Sequence, residues 1–527
     1  METPSDYGLP HDDWRLHQFK TVQWLEKQSD IVSLEAPPGI GKTAIAVALA
    51  HGKSITALVK TKQLQDVNYG GIYGFDVLKG RANYRCAKPG REHLSAGECD
   101  HADTGMHRCP SSPACPYLVQ KAVVRASPKA SLNYSYWLAA RWPRQDPPRV
   151  LVLDEADELP DIVTDHAGTT ITEKQRLDWS LPDFPRVSGT VSLLAHENPM
   201  DKVFEWLEKS RIVLREHYKK LLASDNQVAR ARRRQCESLG MSVGNALDAL
   251  RMSEEGWYVR SGPAALHGKP GFIAKPLTAR FHFPRWFNLS ETVLLMSATI
   301  GNPDPLAGEL GVNFSAFRSV PSQWAPDMRQ VLIPEEVPKL GKKAGESAYE
   351  LQADLARDII GDCPGDWAGI ALVTSKFEAQ NVANRLASRG FEDRVWLLPE
   401  RDGRHFLGTG EQTALWQARK ARVPNSIMVS WNHWRGYDGL DERLLLVFKT
   451  PFPRIGAPGS YENEQMRAGG AMYHWRTANM LAQGCGRTRR GREQDYGPEN
   501  GLVAVLDGNW TRVRKHLSED FLSAIVH

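Results

Sequence analysis

The sequence lacks long apolar runs and any strong excess of charge. No stretch of eighteen apolar residues occurs in its 527 residues, and Met1 to Trp14 has neither the basic stretch nor the apolar core of a signal peptide. The formal net charge is only +4. We therefore expect a cytoplasmic protein, not a secreted one, without a membrane span. Any surface for a polyanion must be a local basic patch.

Cysteine is also scarce, and it is unevenly distributed. Four of the seven cysteines crowd together, and the other three are scattered along the chain. The clustered four are Cys86, Cys99, Cys109 and Cys115. In a reducing compartment such clustering favours a metal site over disulfides.

The rest of the composition is that of an ordinary folded protein. Apolar residues make up 41% of the chain and charged residues 24%, which excludes a largely disordered or fibrous protein. A chain of this length is long enough for about three or four domains, each with its own apolar core. We expect several domains rather than one.

A phosphate-binding loop is the first chemical motif along the chain. The apolar run Ile31 to Leu34 predicts a strand, and Ala44 to His51 has helical spacing. Between them, glycines at positions 39 and 41 let backbone amides point at a phosphate, which the helix N-terminus also attracts. The residues Gly39, Gly41, Lys42 and Thr43 therefore predict an ATP site, with Lys42 on the β and γ phosphates and Thr43 on magnesium. Ala36 stands where the full pattern has glycine, and the alternative is a glycine-proline turn before a helix.

An acidic group follows a second strand. Arg149 to Leu153 reads as a buried strand, and Asp154, Glu155 and Asp157 follow it within four residues. Ligands of parallel sheets bind at the carboxyl ends of the strands, so Asp154 is placed to hold magnesium and Glu155 to polarise the attacking water. A helix N-cap cluster is the alternative interpretation.

The second half of the chain carries two further motifs. Val293 to Thr299 predicts a strand that ends in Ser-Ala-Thr. Near the C-terminus, Gln483 precedes Arg487 and Arg490, which share one face if this segment is helical. An arginine that reaches the γ-phosphate from a second domain accelerates hydrolysis ~10³- to 10⁵-fold. Taken alone, this run would be a solvated basic turn.

Together these motifs resemble a superfamily 2 helicase, and other segments narrow the resemblance to the group that includes XPD and the bacterial DinG helicases. Leu78 to Cys86 resembles the start of the iron-sulfur domain of that group, and Cys115 to Tyr117 resembles its end. Trp434 to Asp438 resembles motif V, and Gly369 to Ser375 resembles the motif IV strand. Arg15 to Gln18 resembles the element that contacts adenine.

The resemblance implies an α/β fold of two RecA-like parallel-sheet domains, with an inserted iron-sulfur domain and a mainly helical arch domain. The expected boundaries are 1–79, 136–158 and 284–320 for the first RecA-like domain, 80–135 for the iron-sulfur domain, 159–283 for the arch and 321–527 for the second RecA-like domain. ATP is expected between the two RecA-like domains. The residues implied there are Arg15, Gln18, Lys42, Thr43, Asp154, Glu155, Asp438, Gln483, Arg487 and Arg490.

The resemblance also implies a cofactor and partners. A 4Fe-4S cluster would be bound by the four clustered cysteines, and zinc is the alternative because His93, His101 and His107 lie nearby. The partners would be single-stranded DNA and forked or tailed duplex DNA, with 5′ to 3′ travel by a monomer in the cytoplasm or on the nucleoid. No membrane partner is expected.

Two departures from the group keep other functions open. Asp157 replaces the histidine usual in motif II, as in RNA helicases of the DEAD-box type, so RNA or an RNA-DNA hybrid is an alternative substrate. Arg435 replaces the usual glutamate of motif V. A nucleic-acid remodelling factor with a nominal ATPase is a third hypothesis. The run Arg230 to Arg234 predicts either a surface that tracks phosphates or a solvated helix face.

Overall fold

A computed structural model gives the structure of the chain. It describes residues 2–99, 109–140, 142–190, 199–224, 226–253, 255–266, 269–323, 325–341, 343–397, 409–434, 442–456, 460–486 and 501–527. No helix in these segments is long and apolar enough to cross a membrane.

The strands fall into three sheets. In chain order they are β1 (Asp30–Glu35), β2 (Ile55–Val59), β3 (Asp76–Leu78), β4 (Lys129–Asn133), β5 (Val150–Asp154), β6 (Thr169–Thr172), β7 (Ser188–Thr190), β8 (Trp257–Leu266), β9 (Lys269–Pro276), β10 (Thr292–Ser297), β11 (Ala316–Ser319), β12 (Val331–Leu332), β13 (Ala368–Leu372), β14 (Val395–Leu397), β15 (Ile427–Ser430), β16 (Glu442–Val447), β17 (Leu502–Val505) and β18 (Ile525–Val526).

The helices lie between and against these strands. They are α1 (Gln18–Leu25), α2 (Lys42–Leu49), α3 (Pro116–Ala126), α4 (Tyr134–Ala139), α5 (Trp142–Gln145), α6 (Leu159–Ala167), α7 (Glu173–Asp178), α8 (Pro199–Leu222), α9 (Gln227–Met252), α10 (Phe283–Phe287), α11 (Asp304–Leu310), α12 (Glu346–Asp362), α13 (Lys376–Leu386), α14 (Thr409–Arg422), α15 (Tyr461–Ala468), α16 (Gly470–Cys485) and α17 (Glu519–Leu522).

The first sheet is parallel and has seven strands in the order β11-β1-β10-β5-β2-β4-β3. Its central strands are apolar without alternation, because helices cover both faces: every residue of β2, β5 and β10 is buried. The carboxyl ends of β1, β5 and β10 therefore lie side by side at one edge. The motifs that follow these three strands meet there.

The second sheet is also parallel and seven-stranded, in the order β14-β15-β13-β16-β17-β12-β18. All strands of the first sheet lie between residues 30 and 319, and all strands of the second lie between 331 and 526. The expected α/β fold with two RecA-like sheets is confirmed.

The region from α6 to β9 contains the expected helices and also a sheet, which the sequence did not predict. The long helices α8 and α9 lie here, in the region that was expected to be mainly helical. The added sheet is antiparallel, with four strands in the order β6-β9-β8-β7. Its apolar face packs against α8, since Trp206 and Phe272 stand with ring centroids 4.6 Å apart.

Helix α9 also contacts the cysteine-bearing segment. Arg81 is ion-paired with Glu237 of α9, and Glu98 lies 3.6 Å from Arg234 and 4.0 Å from Arg230. The basic run of α9 thus makes contacts within the protein: Arg232 covers the Trp179 ring, and Arg233 is buried. This arrangement fixes the cysteine segment against the region between residues 159 and 283.

Candidate functional site

The predicted phosphate loop joins β1 to α2 at the edge of the first sheet. Gly39 has φ +88° and Gly41 has φ +82°, a left-handed conformation that residues with a side chain rarely adopt. A Cβ atom at Gly41 would also lie 2.4 Å from Nε2 of Gln18. Glycine at position 41 therefore suits the left-handed backbone, and a side chain there would displace the Gln18 amide group that donates to Ile40.

Two residues predicted to contact the nucleotide hold this loop from outside. Gln18 Nε2 donates to the Ile40 carbonyl oxygen over 2.5 Å, and the Arg15 guanidinium donates to the Gly39 carbonyl oxygen. The amide of Arg15 in turn donates to Gln18 Oε1 over 2.8 Å. Lys42 Nζ donates to the Ala36 carbonyl oxygen over 3.3 Å, so its ammonium folds back over the loop.

The magnesium-binding candidate Asp154 lies at the end of β5 and is buried. Its carboxylate accepts hydrogen bonds from the Tyr69 hydroxyl over 3.2 Å and from the Glu155 amide over 3.0 Å. The Tyr134 hydroxyl donates to the main-chain oxygen of Asp154 over 2.6 Å. Burial raises the pKa of Asp154, and the positive charge of Lys42 opposes that rise. The charges of Asp154 and Lys42 therefore interact across the loop.

Glu155 has an unusual backbone for the residue that follows a buried strand. Its φ of +58° is left-handed, a conformation that costs on the order of 1–3 kcal/mol in a residue with a side chain. Burial raises the pKa of its carboxyl to about 7, with further contributions from the charges of Asp154 and Asp157. Strain and a raised pKa at one carboxyl are typical of functional sites.

A hydrogen-bonded group joins the two sheets at this edge. Gln483, on α16, donates from Nε2 to Asp157 Oδ2 over 2.9 Å and to Thr299 Oγ1 over 3.0 Å. Ser297 Oγ donates to the other oxygen of Asp157 over 2.7 Å. About two helical turns before Gln483, Trp475 Nε1 donates to the Ile300 carbonyl oxygen over 2.7 Å. Helix α16 therefore contacts the segment from Ser297 to Ile300 at two points, Trp475 and Gln483.

Sequence reasoning missed Glu35, the last residue of β1. Its buried carboxylate accepts from the amides of Ile300 and Gly301, over 2.8 and 2.9 Å, and from Ser319 Oγ over 2.7 Å. Burial raises the pKa of Glu35. The only signal in the sequence was an acidic residue at the end of an apolar strand. Tyr69 and Tyr134, which contact Asp154, gave no signal.

Three predicted site residues lie outside the described part of the chain: Asp438, Arg487 and Arg490. Gln483, which belongs to the same C-terminal motif as the two arginines, lies within the described residues. Helix α16 ends at Cys485, two residues before Arg487.

The four clustered cysteines line one small cavity, with Ala87 and Ala96 among its walls. Cys115 precedes α3, whose first residue is proline, a residue suited to that position. None of the seven cysteines forms a disulfide. Within the described residues, no three His, Cys, Asp or Glu side chains are placed to hold a single metal ion.

The spacing of these thiols bears on the choice of metal. In a four-iron cluster each thiolate binds a different iron, so the thiolates stand further apart than those around one zinc ion. The four cysteines that the sequence assigns to a cluster or to zinc share this one cavity. His93 does not line the cavity, and His101 and His107 lie outside the described residues.

Two solved structures are similar to the whole chain. An XPD helicase matches with a TM-score of 0.56 and 14% identity, over 95% of this chain and 97% of that one. A structure of apo XPD matches with a TM-score of 0.53 and 12% identity, over 94% and 98%. No protein-family profile and no curated protein matches the sequence. At this identity the likeness concerns architecture, and the chain has the fold of the XPD helicases.

Proposed function

We propose that the protein is a DNA helicase that couples ATP hydrolysis to movement along single-stranded DNA. The observation that carries the proposal is the pair of hydrogen bonds from Gln483 to Asp157 and Thr299. A motor requires that the state of the nucleotide be transmitted between two bodies. These bonds join the helix of the second sheet to the motifs beside the phosphate loop of the first.

The nucleotide would lie against the phosphate loop. Lys42 and the amides near Gly39 and Gly41 would bind the β and γ phosphates, which the helix N-terminus also attracts. Arg15 and Gln18 support the loop at the side where adenine is expected. Asp438 would contribute from the second sheet.

Hydrolysis would use the acids at the end of β5. Thr43 and Asp154 would hold magnesium, which when bound neutralises charge on the phosphates. Glu155 would accept the proton of the attacking water, for which a pKa near 7 suits a general base. Arg487 and Arg490 would bind the γ-phosphate from the second sheet, as arginine fingers do.

The cysteine segment would hold a 4Fe-4S cluster through Cys86, Cys99, Cys109 and Cys115. The cluster's role would be structural: it would fix a small domain that α9 already contacts through Arg81 and Glu98. We propose that this domain parts a forked or tailed duplex while a monomer travels 5′ to 3′ on one strand, in the cytoplasm or on the nucleoid.

One observation favours a second candidate substrate. Asp157 stands where DNA helicases of this fold group usually have histidine, and it is the residue that Gln483 contacts. RNA and RNA-DNA hybrids therefore belong in the same assay.

The test is an unwinding assay on protein purified without oxygen. Tailed DNA, RNA and hybrid duplexes of each polarity would be supplied with ATP and magnesium, and iron and sulfide would be measured. We expect unwinding of DNA with a 5′ tail and iron in the protein. ATP hydrolysis that no nucleic acid stimulates, with no duplex opened, would refute the motor. Faster opening of RNA would select the second candidate.

A further inference from the structure

The proposed mechanism gives no role to Tyr69, although its side chain lies beside the residues that would hold magnesium. Tyr69 is fully buried, and its hydroxyl donates to Asp154 Oδ2 over 3.2 Å. The side chain of Thr43 interacts with the same hydroxyl. One phenol therefore contacts both Thr43 and Asp154, which places these two candidate magnesium ligands around a common point.

The segment that carries Tyr69 has a rare backbone and is well anchored. Leu64–Ile72 is a π-helix, a conformation that is uncommon in proteins and occurs frequently at functional sites. Gln65, about one turn before Tyr69, donates from Nε2 to main-chain oxygens of β3 and β4 over 3.4 and 3.2 Å. The Tyr69 ring packs edge-on against Phe75, with ring centroids 5.2 Å apart. Neighbouring strands and this ring contact therefore hold the phenol in place.

The Asp154 carboxylate accepts a hydrogen bond at each of its two oxygens. Oδ1 accepts from the Glu155 amide over 3.0 Å, and Oδ2 accepts from Tyr69. An ionised carboxylate has about four acceptor positions, so roughly two remain for a metal ion or for its water. Tyr69 thus fixes the direction of the carboxylate and leaves part of it available to a ligand.

Magnesium is sensitive to such positioning, because it requires nearly ideal octahedral geometry. Carboxylates that bind metals are usually hydrogen-bonded themselves, and loss of such a partner typically lowers metal affinity ~10- to 100-fold. A hydroxyl that only satisfied its own need for a partner would contribute to stability and leave metal binding unchanged. The two roles therefore differ in what they predict for magnesium.

We propose that Tyr69 is a positioning residue, which orients the Asp154 carboxylate towards a magnesium ion shared with Thr43. The inference rests on the proposed ATP site and adds a residue to it. In this role Tyr69 contacts neither the phosphates nor the attacking water, and it acts through Asp154.

The test measures the affinity of the full-length protein for a fluorescent, non-hydrolysable ATP analogue, once with magnesium and once with EDTA. The ratio of the two affinities gives the contribution of magnesium to binding. Tyr69→Phe removes only the hydroxyl. Tyr461→Phe is the matched control, since it also removes a buried hydroxyl, which donates to the Pro276 carbonyl oxygen over 2.8 Å. The thermal unfolding midpoint of each variant is measured in parallel.

We expect Tyr69→Phe to lower the magnesium ratio at least ~10-fold and to leave the affinity in EDTA unchanged. Tyr461→Phe should keep the wild-type ratio. Asp154→Asn should lower the ratio by itself, and the addition of Tyr69→Phe should then have little further effect, because both changes act on one contact.

A Tyr69→Phe ratio equal to that of the wild type, whatever its unfolding midpoint, would overturn the role of Tyr69 and leave the proposed ATP site intact. A full second loss in the Asp154→Asn background would do the same. A wild type that does not bind the analogue, or that binds it equally with magnesium and with EDTA, would overturn the ATP site and this inference with it. The two failures are therefore distinguishable.

Discussion

The side-chain amide of Gln483 lies 2.9 Å from Oδ2 of Asp157, and this hydrogen bond connects the last long helix of the second sheet to the acidic motif of the first. Ser297 donates to the other oxygen of the same carboxylate. Asp157 therefore receives a bond from each sheet. If the sheets separate during turnover, the bond from Gln483 must break, and we therefore propose it as a point where hydrolysis and motion are coupled.

Gln483→Ala should lower strand-stimulated ATP hydrolysis. Hydrogen bonds to charged groups contribute about 1.5–3 kcal/mol, so we expect a fall of about 10- to 100-fold in turnover with little change in folding. The measurement is steady-state hydrolysis with and without single-stranded DNA. Gln380→Ala, an exposed glutamine on α13, is the matched control and should turn over normally.

A double-mutant cycle tests whether the bond itself is responsible. Asp157→Asn should also slow turnover, and the double variant should be scarcely slower than the worse single variant, because both changes remove one interaction. Fully additive losses would mean that the two residues act independently.

Gly41→Ala should weaken ATP binding by at least ~10-fold, since one tenfold step corresponds to 1.4 kcal/mol. The substitution strains a left-handed backbone and drives a methyl group against Gln18. Gly52→Ala is the control: its φ is +72°, but a Cβ atom there meets nothing within 4 Å. Equal binding losses in both variants would show that the contact with Gln18 does not matter.

Glu35→Ala should destabilise the first sheet by at least about 2 kcal/mol, because the buried amides of Ile300 and Gly301 lose their acceptor. Glu35→Gln retains an acceptor oxygen but carries no charge. Because burial already raises the pKa of Glu35, the glutamine variant should be tolerated far better than the alanine variant. Calorimetric unfolding midpoints measure both. A glutamine variant as unstable as the alanine variant would contradict this reading of the site.

The pH dependence of stability should differ between the wild type and Glu309→Gln. Burial raises the pKa of Glu309 to about 7, with opposition from Arg476, so the folded chain holds a proton that the unfolded chain releases above its ordinary value of 4.5. The contribution of this group to stability is therefore full at low pH and is lost as pH rises towards 7. Unfolding midpoints at pH 5 and pH 8 should favour the glutamine variant more at pH 8. A constant difference would contradict the raised pKa.

Cys115→Ser should remove iron and the absorbance near ~400 nm that thiolate-bound iron gives. Cys363→Ser, outside the cluster, should keep both and serves as the control. Zinc in the purified wild-type protein, without iron or colour, would show that the four thiols hold a different metal.

The placement of the motifs of the first sheet was predictable because it follows local rules. Glycines before a helix and acids after a buried strand identify an edge of a parallel sheet, and the structure brings Lys42 and Asp154 to one edge. The partners that orient them were not predictable. Tyr69 and Tyr134 come from distant segments, and only tertiary packing brings their hydroxyls to Asp154.

The region after α6 was predictable only in part, for the same reason. Helices were expected between residues 159 and 283, where α8 and α9 lie, but β6 and β9, which pair with each other, are separated by about a hundred residues of chain. Such long-range pairing has no local signal.

Trp434 and Trp475 could have been base-stacking residues by position; both are buried, and their indole nitrogens donate to backbone oxygens of Val373 and Ile300.

In the proposed mechanism, Lys42 binds the nucleotide whose hydrolysis drives movement on a strand. The most direct measurement is ATP turnover by the wild type and by Lys42→Ala, each with and without single-stranded DNA. We expect turnover that the strand stimulates in the wild type and that disappears in the variant. Turnover by Lys42→Ala at the wild-type rate, still stimulated by DNA, would contradict it.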